Sequence, residues 1–180
     1  MCGVEPKSTK HHPNSAETLL WDDRGEAQML AEDIYRNRLA DLVSKLEAWA
    51  QAYRDTGSMD TKQGAGFWRV IARPRTPGAC PVTLVLRDDQ KFDLSIAGDL
   101  FEDRAIDDFA LFPGLLEAVA QGRVERTHYA CALTGTPLGH ETHVLLEDGR
   151  TWGERRLRNG ARIESGAVLE NLQRFLPYRR

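Results

Sequence analysis

Two pairs of possible metal ligands lie close together in the last third of the chain. They are His128-x-x-Cys131 and His140-x-x-His143, and four imidazole or thiolate groups are ligands that suit a structural zinc ion. Side chains three residues apart on a strand point to opposite faces of a sheet. If both pairs lie on strands, two ligands fall on each face, and two ligands do not close a structural zinc site. We therefore expect no metal.

The residues around these pairs favour strands. Apolar and polar side chains alternate on both sides of a turn at 134–137, a pattern that predicts a β-hairpin. With a two-residue turn, Cys131 would lie opposite His140 and His128 would lie opposite His143. A small enzyme with its site around this hairpin is one alternative function for the protein.

An arginine-rich segment follows the hairpin. Arginines interleaved with an aromatic ring can contact phosphates and stack on bases, although two glutamates interrupt the segment and the formal net charge of the chain is −3. A nucleic-acid-binding regulator is therefore a second alternative. The residues of this candidate surface are Arg150, Trp152, Arg155, Arg156, Arg158 and Arg162.

The first residues of the chain offer another kind of chemistry. Met1-Cys2-Gly3-Val4 is similar, over these four residues, to the start of class II glutamine amidotransferases and of DNA-crosslinking SRAP domains. The resemblance implies that Cys2, once Met1 is removed, would be an N-terminal nucleophile with its own amine as the base. The polar residues that follow are not the buried strand such a nucleophile needs. We therefore interpret residues 1–14 as a disordered leader.

The most regular pattern lies in a helical segment at 15–56, whose long helix we expect to begin near a capping pair at Asp23 and Glu26. Large apolar side chains spaced four and three residues apart form one stripe of this helix. Either the protein's own sheet or the same helix of a second chain must cover the stripe. The spacing fits a coiled-coil seam and favours a homodimer. The stripe, our candidate protein-binding surface, consists of Tyr35, Leu39, Leu42, Leu46, Trp49 and Tyr53.

The remaining chain predicts an α+β domain at 67–180, after a glycine-rich flexible connector at 57–66. Beyond the connector the period changes from helical to alternating. We expect a mainly antiparallel sheet in the order β-β-β-α-β-β-β, followed by a C-terminal helix that begins near Ser165.

Composition narrows the functional class. Three widely separated cysteines do not form a disulfide framework, and no apolar run approaches the roughly 20 residues that span a bilayer. We expect a cytoplasmic protein with no cofactor and no membrane association. The leading interpretation is a non-enzymatic adaptor or regulatory protein that acts through protein–protein contacts.

Overall fold

The computed structural model describes residues 30–158, 161, 163 and 167–179. This part of the chain contains two α-helices and nine strands, which form two antiparallel sheets. The helices are α1 (Glu32–Ala52) and α2 (Leu111–Ala120). The strands are β1 (Gly57–Gly64), β2 (Phe67–Pro74), β3 (Val82–Arg87), β4 (Lys91–Ile96), β5 (Asp99–Ala105), β6 (Val124–Cys131), β7 (Pro137–Leu145), β8 (Thr151–Leu157) and β9 (Val168–Arg174).

The first sheet is a meander in which each strand pairs with the next, in the order β1-β2-β3-β4-β5. Side chains of β3 and β4 alternate between buried and partly exposed positions because one face of the sheet packs on the core. The predicted hairpin of these two strands is confirmed, since Leu84 lies opposite Leu94 and both side chains are buried.

Helix α1 packs on the core of its own chain. The Tyr35 hydroxyl donates a hydrogen bond to the backbone carbonyl oxygen of Arg87 at 2.5 Å, which ties the helix to the end of β3. All six stripe residues are buried in this core or packed against it: Tyr35, Leu39, Leu42, Leu46, Trp49 and Tyr53. The coiled-coil hypothesis assumed a stripe that the chain leaves uncovered, and the packing does not meet that assumption. A homodimer through this stripe stays a prediction.

The second sheet has the strand order β8-β7-β6-β9. Helix α2 connects the two sheets and contributes the fully buried Leu115, Leu116 and Val119. Val124 of β6 lies opposite Val144 of β7, and both are fully buried. We call the face that carries these two valines the inner face of the second sheet, and the opposite face the outer face.

The residues after β9 return to the first sheet. The Tyr178 hydroxyl donates a hydrogen bond to the backbone carbonyl oxygen of Cys80 at 2.8 Å, and the Thr76 hydroxyl donates to the carbonyl oxygen of Tyr178 at 2.9 Å. Burial raises the pKa of Tyr178 far above its ordinary value, so its hydroxyl stays a hydrogen-bond donor. These contacts hold the chain end in place beyond β9.

The predicted layout of the fold is wrong. It had one sheet and a C-terminal helix, whereas the described residues form two sheets of five and four strands, and 168–174 form β9. The spacing of Val168, Leu169 and Leu172 also fits a helix, which is why local pattern favoured one. Backbone pairing with β6 decides instead, because tertiary pairing overrides a weak local preference.

Two more strands lie where the sequence suggested irregular structure. Strand β1 occupies most of the predicted connector, and β5 occupies an acidic stretch after β4. Both are edge strands of the first sheet, and most of their side chains are exposed. Backbone hydrogen bonds to a neighbouring strand hold them, and apolar alternation detects only strands with a buried face.

Several predictions about the chain ends lie outside the described residues: the leader at 1–14, Cys2, the capping pair and Ser165. Within the described residues, α1 begins at Glu32. None of the helices there is long and apolar enough to cross a membrane.

The packing of α1 predicts how its two sides respond to truncation. Leu46→Ala should lower the free energy of unfolding by about 2–5 kcal/mol, because it removes fully buried apolar volume from the core. Ile34→Ala, on the exposed side of the same helix, should change it by less than about 0.5 kcal/mol. Urea denaturation followed by circular dichroism measures both values. Equal effects of the two substitutions would contradict the packing.

Candidate functional site

The hairpin of β6 and β7 pairs in a different register from the predicted one. His128 lies opposite His140, and His143 lies opposite Glu125. The predicted pairs, Cys131 with His140 and His128 with His143, are therefore wrong. Five residues rather than two separate the strands, and the register shifts at a bulge near the turn. The pairing next to the turn, Ala130 with Pro137, is already displaced by four positions from the predicted register, and the bulge moves the pairing back by one.

The prediction that His140 and His143 point to opposite faces is confirmed. His140 contacts a carboxylate on the inner face, whereas His143 contacts a different carboxylate on the outer face. Cys131 lies opposite Val168 on β9, away from both. Among the described residues, no group of three or more His, Cys, Asp or Glu side chains is placed to hold a metal ion. The expectation that the protein binds no metal stays a prediction.

The inner face carries a cluster centred on Asp99, the first residue of β5. The Asp99 carboxylate accepts a hydrogen bond from the Thr142 hydroxyl at 2.5 Å and lies 2.6 Å from Nε2 of His140. Arg126 lies 3.4 Å from the same carboxylate and also donates to the carbonyl oxygen of Ala97. We call these side chains the Asp99 cluster. It joins the edge of the first sheet to the middle of the second.

The environment keeps Asp99 ionised. Burial by itself raises the pKa of this carboxyl, but the hydrogen bonds from Thr142 and His140 and the charge of Arg126 outweigh it and hold the pKa below its ordinary value. Only 4% of the Asp99 side chain is exposed. A buried carboxylate of this kind needs all of its partners, because an unpaired buried charge is strongly destabilising.

The outer face carries a second cluster, centred on Glu141 of β7. The Tyr129 hydroxyl donates a hydrogen bond to Glu141 at 2.6 Å, and Arg155 of β8 binds the same carboxylate oxygen at 2.8 Å. His143 lies 3.0 Å from the other oxygen. Burial and the bond to Glu141 raise the pKa of Tyr129 to about 12. We call these four side chains the Glu141 cluster.

Exposed leucines lie on the same face as the Glu141 cluster. Strand alternation places Leu145 of β7, Leu157 of β8 and Leu172 of β9 on the outer face. Their exposed fractions are 51%, 39% and 45%. We call them the outer-face leucines. This face therefore combines apolar side chains with a polar centre whose charges are already paired.

The arginine-rich segment is largely engaged in contacts within the chain. Arg150 pairs with Asp148, Arg155 with Glu141 and Arg156 with Glu154, as the ion pairs show. Trp152 packs against the core and its ring lies 4.9 Å from that of Phe101. Arg158 is exposed, and Arg162 lies outside the described residues. Nucleic-acid binding by this segment stays a prediction that this arrangement does not favour, because guanidinium groups already paired with carboxylates attract phosphate less strongly.

Neither Asp99 nor Glu141 was among the candidate residues that the sequence pattern indicated. Glu141 had one usable signal, since it lies two residues from His143 on a predicted strand and must share its face. Asp99 had no such signal, because its partners lie on β6 and β7, between 27 and 43 residues further along the chain.

In comparisons with known proteins, no family model, no curated protein and no solved structure matches the chain.

Replacing the central carboxylate should loosen the junction of the two sheets. Asp99→Asn should lower the free energy of unfolding by about 2–3 kcal/mol, because charge-assisted hydrogen bonds become neutral ones. Asp60→Asn, at an exposed ion pair on β1, is the matched control and should cost less than about 1 kcal/mol.

The same carboxylate gives a pH dependence of known sign. Because its pKa is lowered in the folded protein, its contribution is complete above the ordinary carboxyl pKa of about 3.9. It is lost as pH falls below that value. When the pH is lowered from 7 to 3, the urea concentration at the unfolding midpoint should therefore fall more steeply for the wild type than for Asp99→Asn. Parallel curves would show that Asp99 is not held in its ionised form.

Proposed function

We propose that this protein is a non-enzymatic adaptor or regulatory protein that binds another protein with the outer face of its second sheet. We place this function in the cytoplasm, since Cys80 and Cys131 are free thiols and a reducing compartment keeps thiols in that state. The proposed contact surface consists of the outer-face leucines around the Glu141 cluster.

The distribution of exposed apolar side chains carries this proposal. Eight large apolar residues are exposed among the described residues, and three of these, the outer-face leucines, lie on this one face. Single exposed leucines are ordinary, but a concentration of them in one part of a molecule is typical of protein contact surfaces. The other five are Ile34, Leu100, Leu133, Leu169 and Leu176.

The polar centre of the face suits such a contact. Glu141 already binds Tyr129, Arg155 and His143, so covering it with a partner would leave no unpaired carboxylate. The desolvation of a paired group costs less than that of a free charge. The Arg155 guanidinium also lies 5.5 Å from the centre of the Tyr129 ring, and tyrosine and arginine are enriched at protein interfaces.

The two histidines of β7 have structural contacts that account for them. His140 bonds to Asp99 and His143 to Glu141. The nearest hydroxyl in the inner cluster, that of Thr142, is wholly buried and donates its proton to Asp99. It is therefore not placed as a nucleophile. These contacts are the reason we prefer a binding function to the small-enzyme alternative.

Charge substitutions on the outer face test the proposal. In a tagged full-length chain expressed in its native host, Leu145→Glu and Leu157→Glu should each reduce the yield of a specifically co-purifying protein at least about tenfold. A charge placed in an apolar contact loses more than about 1.4 kcal/mol of binding free energy.

Ile34→Glu is the matched control, since Ile34 is exposed to a similar degree, 46%, but lies on α1. It should leave the yield unchanged, and circular dichroism should show that all three variants are folded. A partner that is retained by both leucine variants, or lost equally with Ile34→Glu, would refute the outer face as the binding surface.

A further inference from the structure

Strand β9 is an edge of the second sheet, and among the described residues only β6 pairs with it. The Phe175 N–H donates to the carbonyl oxygen of Val124, and the Ala132 N–H donates to that of Ala167. Both bonds join an even-numbered residue of the β6 side to an odd-numbered residue of the β9 side. In an antiparallel ladder the backbone N–H and C=O groups of successive residues point alternately toward and away from the neighbouring strand. The odd-numbered residues of β9 therefore point toward β6, and residues 168, 170, 172 and 174 point away from it.

This edge lacks the features that keep other edges from pairing. The edge strand β1 carries an exposed lysine, Lys62, and β5 has a register shift and a positive φ of 60° at Asp103. Lysines, bulges and distorted backbone are common protections of exposed edges. Strand β9 contains neither lysine nor proline, and its pairing with β6 runs without a shift from Val168 to Arg174.

We propose that β9 pairs antiparallel with β9 of a second copy of this chain, with Leu172 opposite Leu172 on the two-fold axis. In this register Glu170 lies opposite Arg174 of the second copy, and Arg174 lies opposite Glu170. Asn171 lies opposite Gln173. Opposite charges and matching apolar side chains directly across a pair of strands stabilise the pairing.

The backbone directions leave few other symmetric registers, because an outward-pointing residue must face another one. A two-fold axis at Asn171 would place Glu170 opposite Leu172, and one at Gln173 would place Leu172 opposite Arg174. An axis at Glu170 would place two glutamates together. Only the register centred on Leu172 pairs both charges, so charge complementarity selects it.

The other edge of the second sheet does not offer the same match. In β8, the bonds of Arg150 and Arg158 to the β7 side show that odd-numbered residues point outward. The symmetric register that pairs Glu154 with Arg156 therefore also places Arg155 opposite its own copy. Like charges directly opposite one another destabilise strand pairing.

Arg174 is already positioned for the proposed pairing. Its Nε lies 2.8 Å from the Glu125 carboxylate of β6, and 73% of its side chain is exposed. The guanidinium has five donors, so it can bind Glu125 and Glu170 of the second copy together. The dimer would join two four-stranded sheets into one of eight strands, with both sets of outer-face leucines on one side.

A charge exchange tests the partner and the register together. Full-length wild type should show twice the 20.3 kDa chain mass in sedimentation equilibrium at high micromolar concentration. Glu170→Arg and Arg174→Glu alone should each weaken dimerisation at least about tenfold, because two attractive pairs become repulsive. An equimolar mixture of the two variants should restore the dimer. One chain of the mixed dimer is then positive at both positions and the other is negative at both, so each cross-strand pair is attractive again.

A cross-link checks the two-fold axis directly. In a background with Cys2→Ser and Cys131→Ser, Leu172→Cys should form a disulfide dimer under mild oxidation, because opposite residues of an antiparallel pair are about 5.5 Å apart at Cα. Asn171→Cys is the matched control and should not cross-link efficiently, since Asn171 faces Gln173. Lys62→Glu, on the edge strand β1, is the charge control and should leave the mass unchanged.

The outcomes separate this inference from the proposed function, because the two surfaces share only Leu172 and the partner test substitutes Leu145 and Leu157 instead. A monomeric wild type would overturn the inference, regardless of whether another segment of the chain covers β9. It would leave the effect of Leu145→Glu on partner capture intact. A dimer that both charge variants retain, or that the mixture does not restore, would also overturn it. Loss of the dimer in the charge variants with recovery in the mixture supports it, whatever the leucine variants show.

Discussion

The buried carboxylate of Asp99 is the interaction that relates the two sheets. It lies at the start of β5 and receives side chains from both β6 and β7. Apolar packing alone tolerates small displacements of one layer over another, whereas hydrogen bonds to a buried charge have narrow geometric limits. The Arg126 guanidinium reinforces this junction because it also binds the backbone of Ala97. Asp99 therefore holds the second sheet through several directional partners, beside the packing of Trp152 on Phe101 and the hydrogen bond of Tyr178 to Cys80.

Within the described part of the chain, this arrangement leaves the outer face and the β9 edge free for contacts with other molecules. The inner face alone supplies the valines that complete the core and the side chains that hold Asp99. The outer face has its own closed network around Glu141, and its leucines are not used in the core. A surface that the fold does not require can carry apolar side chains for another purpose. The proposed binding function depends on this difference between the inner face, which packs on the core, and the outer face.

Strand β9 illustrates how an element can be well placed yet contribute little burial. Almost all of its side chains are exposed, so its position comes from backbone pairing with β6 and from the anchored residues after it. The hydroxyl of Tyr178 and the backbone around it provide that anchor. A strand that no other described residue pairs with on its outer edge presents backbone groups in a fixed geometry, which is the requirement for recognition by strand pairing.

The sequence by itself determined the features that depend on local period. The stripe of α1, the hairpin of β3 and β4, and the separation of His140 from His143 all follow from the repeat of a helix or a strand, which each residue shares with its near neighbours. The spacing of the stripe could not show what covers it, because both a sheet and a second helix accept the same apolar face.

Only the tertiary structure decided the sheet division, the register of β6 with β7 and the partners of Asp99. Strands β1 and β9 have weak or helix-like local patterns and exist because a neighbouring strand offers backbone groups to pair with. The turn between β6 and β7 lies earlier in the chain than predicted, and its position together with the adjacent bulge sets which residues the histidines face. These features depend on contacts between residues far apart in the chain, and the free energy of such contacts is not contained in local spacing.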